Sequence, residues 1–517
     1  MPPAPVACVP ARTTAQQPKQ VAKSIAIDQV DGFLSIDNAG LVTVYSGKVE
    51  LGTGVYTALT QMAAEELSVP LDHVRIIQGD TQLTPDQGPT YASLSIQNGG
   101  MQIRMAAATA REALLDEAAK RLRVSREDLV IRAGVVMSRS SSKRLSYGQL
   151  ANGAAIRTRI DDRAPLKDPK DYTIVGKSVS RLDLPAKALG TFLYMHDFKL
   201  PNMLHARVVH PPAMKARLES WGDADCRKIP GYVRAVRKED FLAVVANNEW
   251  AAIKAATAIT ANWTAWAGLP EQANLFDYVR STDVVRDEVL QSVGDVTAAT
   301  NAGARTLQAT YDFAIHTHGS IGPSCAVADF KDGRLTVWTA SQACHLLRLQ
   351  LATMLQLPPD CVRCIYLEGA GCYGRNGHDD CASEAALIAK ELGRPVRLQW
   401  MRSDEHGWDP KNPPMLLDFH ANLDSAGRIA AWESVIYVPE RTMQRSGVTL
   451  LAADLADFPR YGSDSSNVHQ SGGGIPYALP NTRTTARWLA STPLRSAWIR
   501  APGRMQLTFG NESFLDE

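Results

Sequence analysis

The chain has 517 residues, 45% hydrophobic and 21% charged, with 55 basic against 54 acidic side chains and a net charge of +1. That balance excludes the basic footprint of a nucleic-acid binder, and no apolar run reaches the ~20 residues of a membrane helix. Eight cysteines are too sparse for a disulfide scaffold and read as reduced thiols of a cytoplasmic protein. The length fits roughly two to four domains.

Residues 1–30 are rich in Pro, Ala, Thr and Gln. They carry Arg12, Lys19 and Lys23 with no acid before Asp28, and read as a flexible arm. Residues 34–51 largely alternate apolar and polar around Asn38-Ala39-Gly40, which predicts a hairpin. Thr57–Leu67 reads as a helix that the preceding glycines lead into. Ile103–Val124 reads as a long amphipathic helix, and Leu129–Met137 as a strand. From Ser138 to Pro169 the composition turns polar, which marks a candidate boundary. Residues 185–270 read as a compact α+β unit: the strand LHARVVHPP, the buried strand FLAVVANN and an alanine-rich helix from Trp250. Residues 271–305 read as a linker, and a second large block runs over 306–517. No repeat of fixed period is present.

The most informative stretch runs from Glu368 to Trp400. The strand-like CVRCIYL leads into a loop with glycine at 369, 371, 374 and 377, then a helix-like segment over Ala382–Leu392, then a strand at Val396–Trp400. Glycines packed between strand and helix let backbone approach a ligand closely. The helix start beyond them offers free N–H groups and a positive dipole end, which suits an anion. The spacing matches neither GxGxxG with a ribose-binding acid nor GxxxxGK[ST].

The loop GAGCYGRNGHDD resembles the GxGxYGxNGxDD-type loop of the molybdopterin-binding large subunits of the xanthine dehydrogenase/aldehyde oxidase family. The branch it resembles includes isoquinoline 1-oxidoreductase and nicotinate dehydrogenase. SGKVELGTGVYTALTQMAAEEL, GDTQLTPDQGPTYASLSIQNGG, YMHDFKLPNMLHARVVHPP, HTHGSIGPSCAVADF and LRSAWIRAPGRMQLTFGNESFLDE fit the same branch, in the family's order. The resemblance implies an α+β fold. It places an N-terminal molybdopterin-binding segment at 31–150, a small hammerhead-type α/β domain at 185–270 and an incomplete molybdopterin-binding domain at 306–517.

The resemblance also implies a molybdenum–molybdopterin cofactor in its cytosine dinucleotide form. It implies a small subunit carrying the [2Fe–2S] clusters, with a cytochrome c as a further electron acceptor. The expected reaction is hydroxylation of an N-heteroaromatic carbon with water-derived oxygen. The alternatives are aldehyde oxidation by the same chemistry, or a non-catalytic assembly subunit.

Site residues carry over motif by motif. Glu50-Leu51-Gly52-Thr53-Gly54 resembles the family's E-x-G-Q-G turn, so the amides of Gly52 and Gly54 are expected to face the cofactor, with Thr53 standing where relatives have Gln. In GPTYASLS, Ala92 and Ser93 match positions of close approach to the pterin. Tyr373 and Gly374 match the segment whose amides face the metal's oxo ligand. Arg500 in IRAPGR matches a cofactor-contacting arginine, whose fork suits carbonyl or phosphate oxygens. His316 falls roughly where many relatives carry a Gln near the metal, and His316 with His318 leaves a metal pair open. Cys361, Cys364, Cys372 and Cys381 leave a Zn or Fe–S site open, although a strand pattern turns Cys361 and Cys364 to opposite faces. Asp379, Asp380 and Glu384 read as acids that favour a helix start.

Family large subunits continue past SFLDE to a G-x-G-E motif, whose glutamate serves as general base. The chain has no such motif, so no catalytic base is assigned. The helix-like GNESFLDE, without a stop signal, is read as a missing continuation or a split subunit.

Overall fold

A computed structural model describes residues 24–266, 268–439, 448–461 and 472–517. It contains three main sheets, each with its own core.

The first sheet pairs Leu34–Ile36 with Val42–Ser46, and Val42–Ser46 with Val74–Gln78 in parallel. The helices Val55–Leu67 and Met101–Leu122 cover it, packing Phe33, Val44, Leu59, Leu67 and Ile103 into one core. The 34–51 hairpin and both helices form where expected. Leu129–Met137 is not one strand. Ala133 and Gly134 both take positive φ (49° and 75°), so Leu129–Arg132 and Val135–Ser138 fold back as a hairpin.

The polar stretch after Ser138 does not leave this unit. Buried Glu65 takes the amide N–H groups of Thr173, Ile174 and Val175 on one carboxylate oxygen. Glu66 pairs with Arg104 and Arg111. Buried charges therefore tie the 167–175 segment to the helix. Of the expected arm, residues 1–23 lie outside the described ones. Val30 is fully buried and donates its amide to Thr158, and Ile160 donates to Asp28, so the end of that stretch is fixed rather than flexible.

The second sheet has seven strands in the order Val362–Tyr366, Arg334–Thr339, Cys325–Lys331, Val396–Gln399, Leu204–Val208, Phe241–Ala246, Tyr232–Lys238. Val396–Gln399 runs parallel to Leu204–Val208, so the 185–270 stretch shares a continuous sheet with the block that follows it. The helix His378–Leu392 is buried from His378 to Ala389 and packs on this sheet, ending at Gly393 with φ +60°.

The third sheet runs Val284–Val293, Thr482–Leu489, Ile429–Pro439, Met415–Leu423, Arg305–Phe313. Its outer strand Val284–Val293, with the helices Leu275–Ser281 and Val296–Asn301, occupies the stretch expected as a linker. The helix Arg504–Asp516 packs Leu507 and Phe514 against Phe419 and Trp432 of this sheet.

Candidate functional site

The glycine loop leaves the Val362–Tyr366 strand at the edge of the seven-stranded sheet. There it meets the first unit. Asp80 bridges Ile365, Arg363 donates to Asp80 at 2.9 Å, and the Tyr366 hydroxyl donates to the Glu50 carbonyl. This seam brings the 50–54 turn against the 368–378 loop. Between them lies a pocket of about 470 Å³, lined among others by Gly52, Tyr194, Glu368, Gly371, Tyr373 and His378.

Three short bridged segments extend the loop's far side. Gly374 pairs with Ile499, Ser496 with Lys411, and Asn412 with His316. Gly374 takes φ +136°, and a Cβ there would stand 2.2 Å from the Trp498 carbonyl oxygen. Only glycine fits that approach. The Arg375 amide donates to Trp498 and the Arg500 amide to Tyr373. Among the described residues, no protein acceptor takes the amide N–H of Gly371, Cys372, Tyr373 or Gly374. Gly371, Cys372 and Tyr373 line the pocket, and three successive open amides there make a cradle for negative charge or for carbonyl-type oxygens.

The expected site residues fall around this cradle in different ways. Gly52 and Tyr373 line the pocket. Gly374 and Arg500 adjoin Tyr373 through the backbone pairing, and the Arg500 side chain is exposed. Thr53 is exposed beside Gly52. Ala92 and Ser93 are exposed, with left-handed φ of 54° and 60°, and do not line the pocket. Their loop is anchored nearby, because Thr90 accepts from the Val49 amide and donates its own to Gln342, whose side chain meets the Cys372 thiol.

Gly54 corrects the expectation for its amide. That N–H donates to Glu50 Oε1 at 2.8 Å, and Tyr56 donates to Oε2 at 2.8 Å. A buried carboxylate at a helix start takes the nearest free donors, so Glu50 caps the turn and the Gly54 amide is spent. At Gly52 and Gly54 a Cβ would meet nothing within 4 Å, so both glycines leave open space above the turn.

Charged groups brace the pocket wall. Lys187 holds both oxygens of Glu368, at 2.6 and 2.8 Å, and reaches Asp183 at 2.7 Å. Asp183 pairs with Arg181, which donates to the Gly52 carbonyl. Burial raises the Glu368 carboxyl above its usual range, against the pull of Lys187. With both oxygens engaged, Glu368 is a brace between the 181–187 segment and the loop.

The acids after the loop do more than favour a helix start. Asp380 is fully buried and binds Arg375, Arg495 and the Leu451 amide. Glu384 is fully buried, accepts from Trp400 Nε1 at 2.6 Å and meets His210 at 2.7 Å. Burial works against charge on His210, but Glu384 and Asp404 hold its pKa up to about 9. Single acids in a sequence do not reveal such partners, and the buried alanine run around them was the available signal.

The open metal alternatives do not assemble. His318 turns its ring nitrogens to Asp409 and the Trp498 carbonyl, and His316 turns Nδ1 to the Ala314 carbonyl. Cys364 and Cys381 lie in the core, Cys361 in the turn before the strand, and Cys372 in the loop. Among the described residues, no group of three or more His, Cys, Asp or Glu is placed to hold a metal ion.

Residues 9–188 and 280–517 each match a molybdopterin cofactor-binding domain family. A nicotinate dehydrogenase subunit of Pseudomonas putida is 36% identical over 511 residues, covering 96% of this chain and 42% of that protein. The beta subunit of isoquinoline 1-oxidoreductase from Brevundimonas diminuta is 25% identical over 566 residues, covering 96% of this chain and 68% of that protein. The aldehyde oxidoreductase of Desulfovibrio desulfuricans ATCC 27774 superposes with a TM-score of 0.54 at 16% identity, over 89% of this chain and 51% of that one. That likeness shows the shared fold. The chain thus spans under half the length of the nicotinate dehydrogenase protein it matches. The open amides, the uncrowded Gly52 turn and the pocket between them fit a pterin and its oxygens. The chain belongs to the molybdopterin cofactor-binding subunits of the xanthine dehydrogenase/aldehyde oxidase family.

Proposed function

We propose that the chain holds the molybdenum cofactor, in its cytosine dinucleotide form, for an oxidoreductase that hydroxylates a carbon beside nitrogen in an N-heteroaromatic ring. The observation that carries this reading is the run of open amides at Gly371, Cys372 and Tyr373, residues that line the same pocket as Gly52. The names of the two relatives support the substrate class. When bound, the cofactor supplies two-electron chemistry that leaves the oxygen of the product derived from water.

The chain's own residues bind and orient. The Tyr373 and Gly374 amides would donate to cofactor oxygens, and the Gly52 turn would give the pterin room. Arg500 adds a fork for carbonyl or phosphate oxygen. The Lys187–Glu368 brace keeps the pocket wall in place. A separate small subunit carrying [2Fe–2S] clusters would take the electrons, and a cytochrome c would be the acceptor beyond it. Catalysis on this reading takes place in the cytoplasm.

The test is elemental analysis of the protein from its native host, with release of nucleotide by mild hydrolysis and identification of co-purifying chains. Stoichiometric molybdenum with cytidine monophosphate, and iron only alongside a small second subunit, supports the reading. Protein with neither molybdenum nor pterin, purified with its partners, overturns it. Arg500→Ala removes an exposed side chain and should shift stability by no more than about 0.5 kcal/mol, while lowering molybdenum content. Wild-type content in this variant removes Arg500 from the site.

A further inference from the structure

The Gly371 carbonyl is held by three side chains. His378 Nε2 donates to it at 2.8 Å, Asn376 Nδ2 at 3.2 Å and Ser320 Oγ at 3.4 Å. All three are buried. The last contact is long, so the clamp is chiefly His378 and Asn376. Asn376 is itself fixed, because its Oδ1 accepts the His378 amide at the start of the helix. In a trans peptide the carbonyl oxygen and the following N–H point to opposite sides, and the described chain has no cis bond. Drawing the Gly371 oxygen toward His378 therefore turns the Cys372 N–H the other way, and no protein acceptor meets it there among the described residues. Gly371 has φ +116°, and a Cβ on it would press on the Tyr373 ring at 2.9–3.1 Å. The conformation is thus one that glycine permits and the side chains enforce.

We propose that His378 is a positioning residue for the amide cradle: with Asn376 it pins the Gly371 carbonyl inward and so presents the Cys372 amide to the cofactor. The inference rests on the cofactor reading above for the identity of the ligand, but the clamp itself is a property of the chain. His378 suits the task because burial lowers its pKa to about 4. The neutral ring has one N–H, and the Gly371 oxygen fixes it on Nε2. Nδ1 is left as a buried acceptor without a protein partner among the described residues.

The experiment compares crystal structures and molybdenum content of the full chain as wild type, His378→Phe and His378→Gln, each purified with its co-purifying subunits. Phe keeps the ring volume and removes the donor, and Gln returns a donor near the Nε2 position. In His378→Phe the 371–372 peptide should leave its orientation, and molybdenum content at limiting cofactor should fall about five- to tenfold, the worth of one buried hydrogen bond. His378→Gln should keep the peptide and most of the metal. An unchanged Gly371 peptide in His378→Phe overturns the proposal, as does a reoriented peptide with wild-type metal content. If the wild type binds no molybdenum, the functional reading fails, and the peptide orientation in the two variants still decides the clamp. Should His378→Phe not fold, Asn376→Asp takes its place: it removes the second donor, and the carbonyl should again turn.

Discussion

At the scale of residues, two buried titratable groups set opposing pH dependences. The folded His378 ring stays neutral to about pH 4, against 6.5 for a free histidine, because it is buried. The unfolded chain binds a proton there that the folded chain refuses. Stability from this group is complete above pH 6.5 and is lost as pH falls toward 4, by about 3 kcal/mol. Glu405 has the reverse sense. Burial raises its carboxyl from 4.5 to about 7, although it accepts from the Ser324 amide and hydroxyl. Its protonated form favours folding, so its contribution is present below pH 4.5 and lost as pH rises through 7. Urea unfolding across pH 4 to 8 should show a flatter acid limb in His378→Gln and a flatter neutral limb in Glu405→Gln. Gly374→Ala tests the backbone instead. With φ +136° and a Cβ 2.2 Å from the Trp498 oxygen, it should lose about 3 kcal/mol or more in the same assay. The glycines of the loop were legible because their freedom is a property of the residue. The Gly54 amide was misjudged because its partner, Glu50, depends on how the turn closes.

At the scale of elements, the strand, glycine loop, helix and strand from 362 to 399 were readable in order, since periodicity and breakers lie within the segment. The hairpin at Ala133-Gly134 was not, because alanine at a left-handed position carries little turn signal. The 271–305 stretch was misread for a related reason: Val284–Val293 is an edge strand with many exposed residues, so it lacks the apolar run of a buried strand. The helix His378–Leu392 depends on a network that no local pattern contains. Asp380 joins the loop through Arg375, the 495–499 segment through Arg495, and the 451–455 helix through the Leu451 amide. Removing Asp380 leaves Arg495 with carbonyl partners alone and buried Arg375 with Asp379 as its remaining carboxylate. Asp380→Ala should therefore cost about 3–5 kcal/mol, read as a fall in the urea midpoint with an unchanged slope. An effect below about 1 kcal/mol would mean that the arginines find water.

At the scale of the whole molecule, the pocket exists because the first unit docks on the edge of the seven-stranded sheet. The seam includes the Asp80–Arg363 pair, the exchange between Thr81 and Cys364, the Thr90 amide on the Gln342 carbonyl and the Tyr366 hydroxyl on the Glu50 carbonyl. Arg363→Ala should loosen it. Calorimetry of the wild type should give one coupled transition for these two cores, and the variant a broadened or divided one. A single sharp transition in the variant would place the coupling elsewhere. By itself the sequence determined the family, the α+β class, the segments that form helices and hairpins, and the loop that carries the open amides. These follow from backbone conformational limits and apolar spacing, which act over a few residues. Tertiary structure alone decided that residues 204–246 enter a sheet with 325–399, that His210 meets Glu384 across 174 positions, and that Tyr366 meets Glu50 across 316. The reason is physical: a buried polar group must find a partner wherever the packed chain brings one, and sequence spacing does not encode which partner that is.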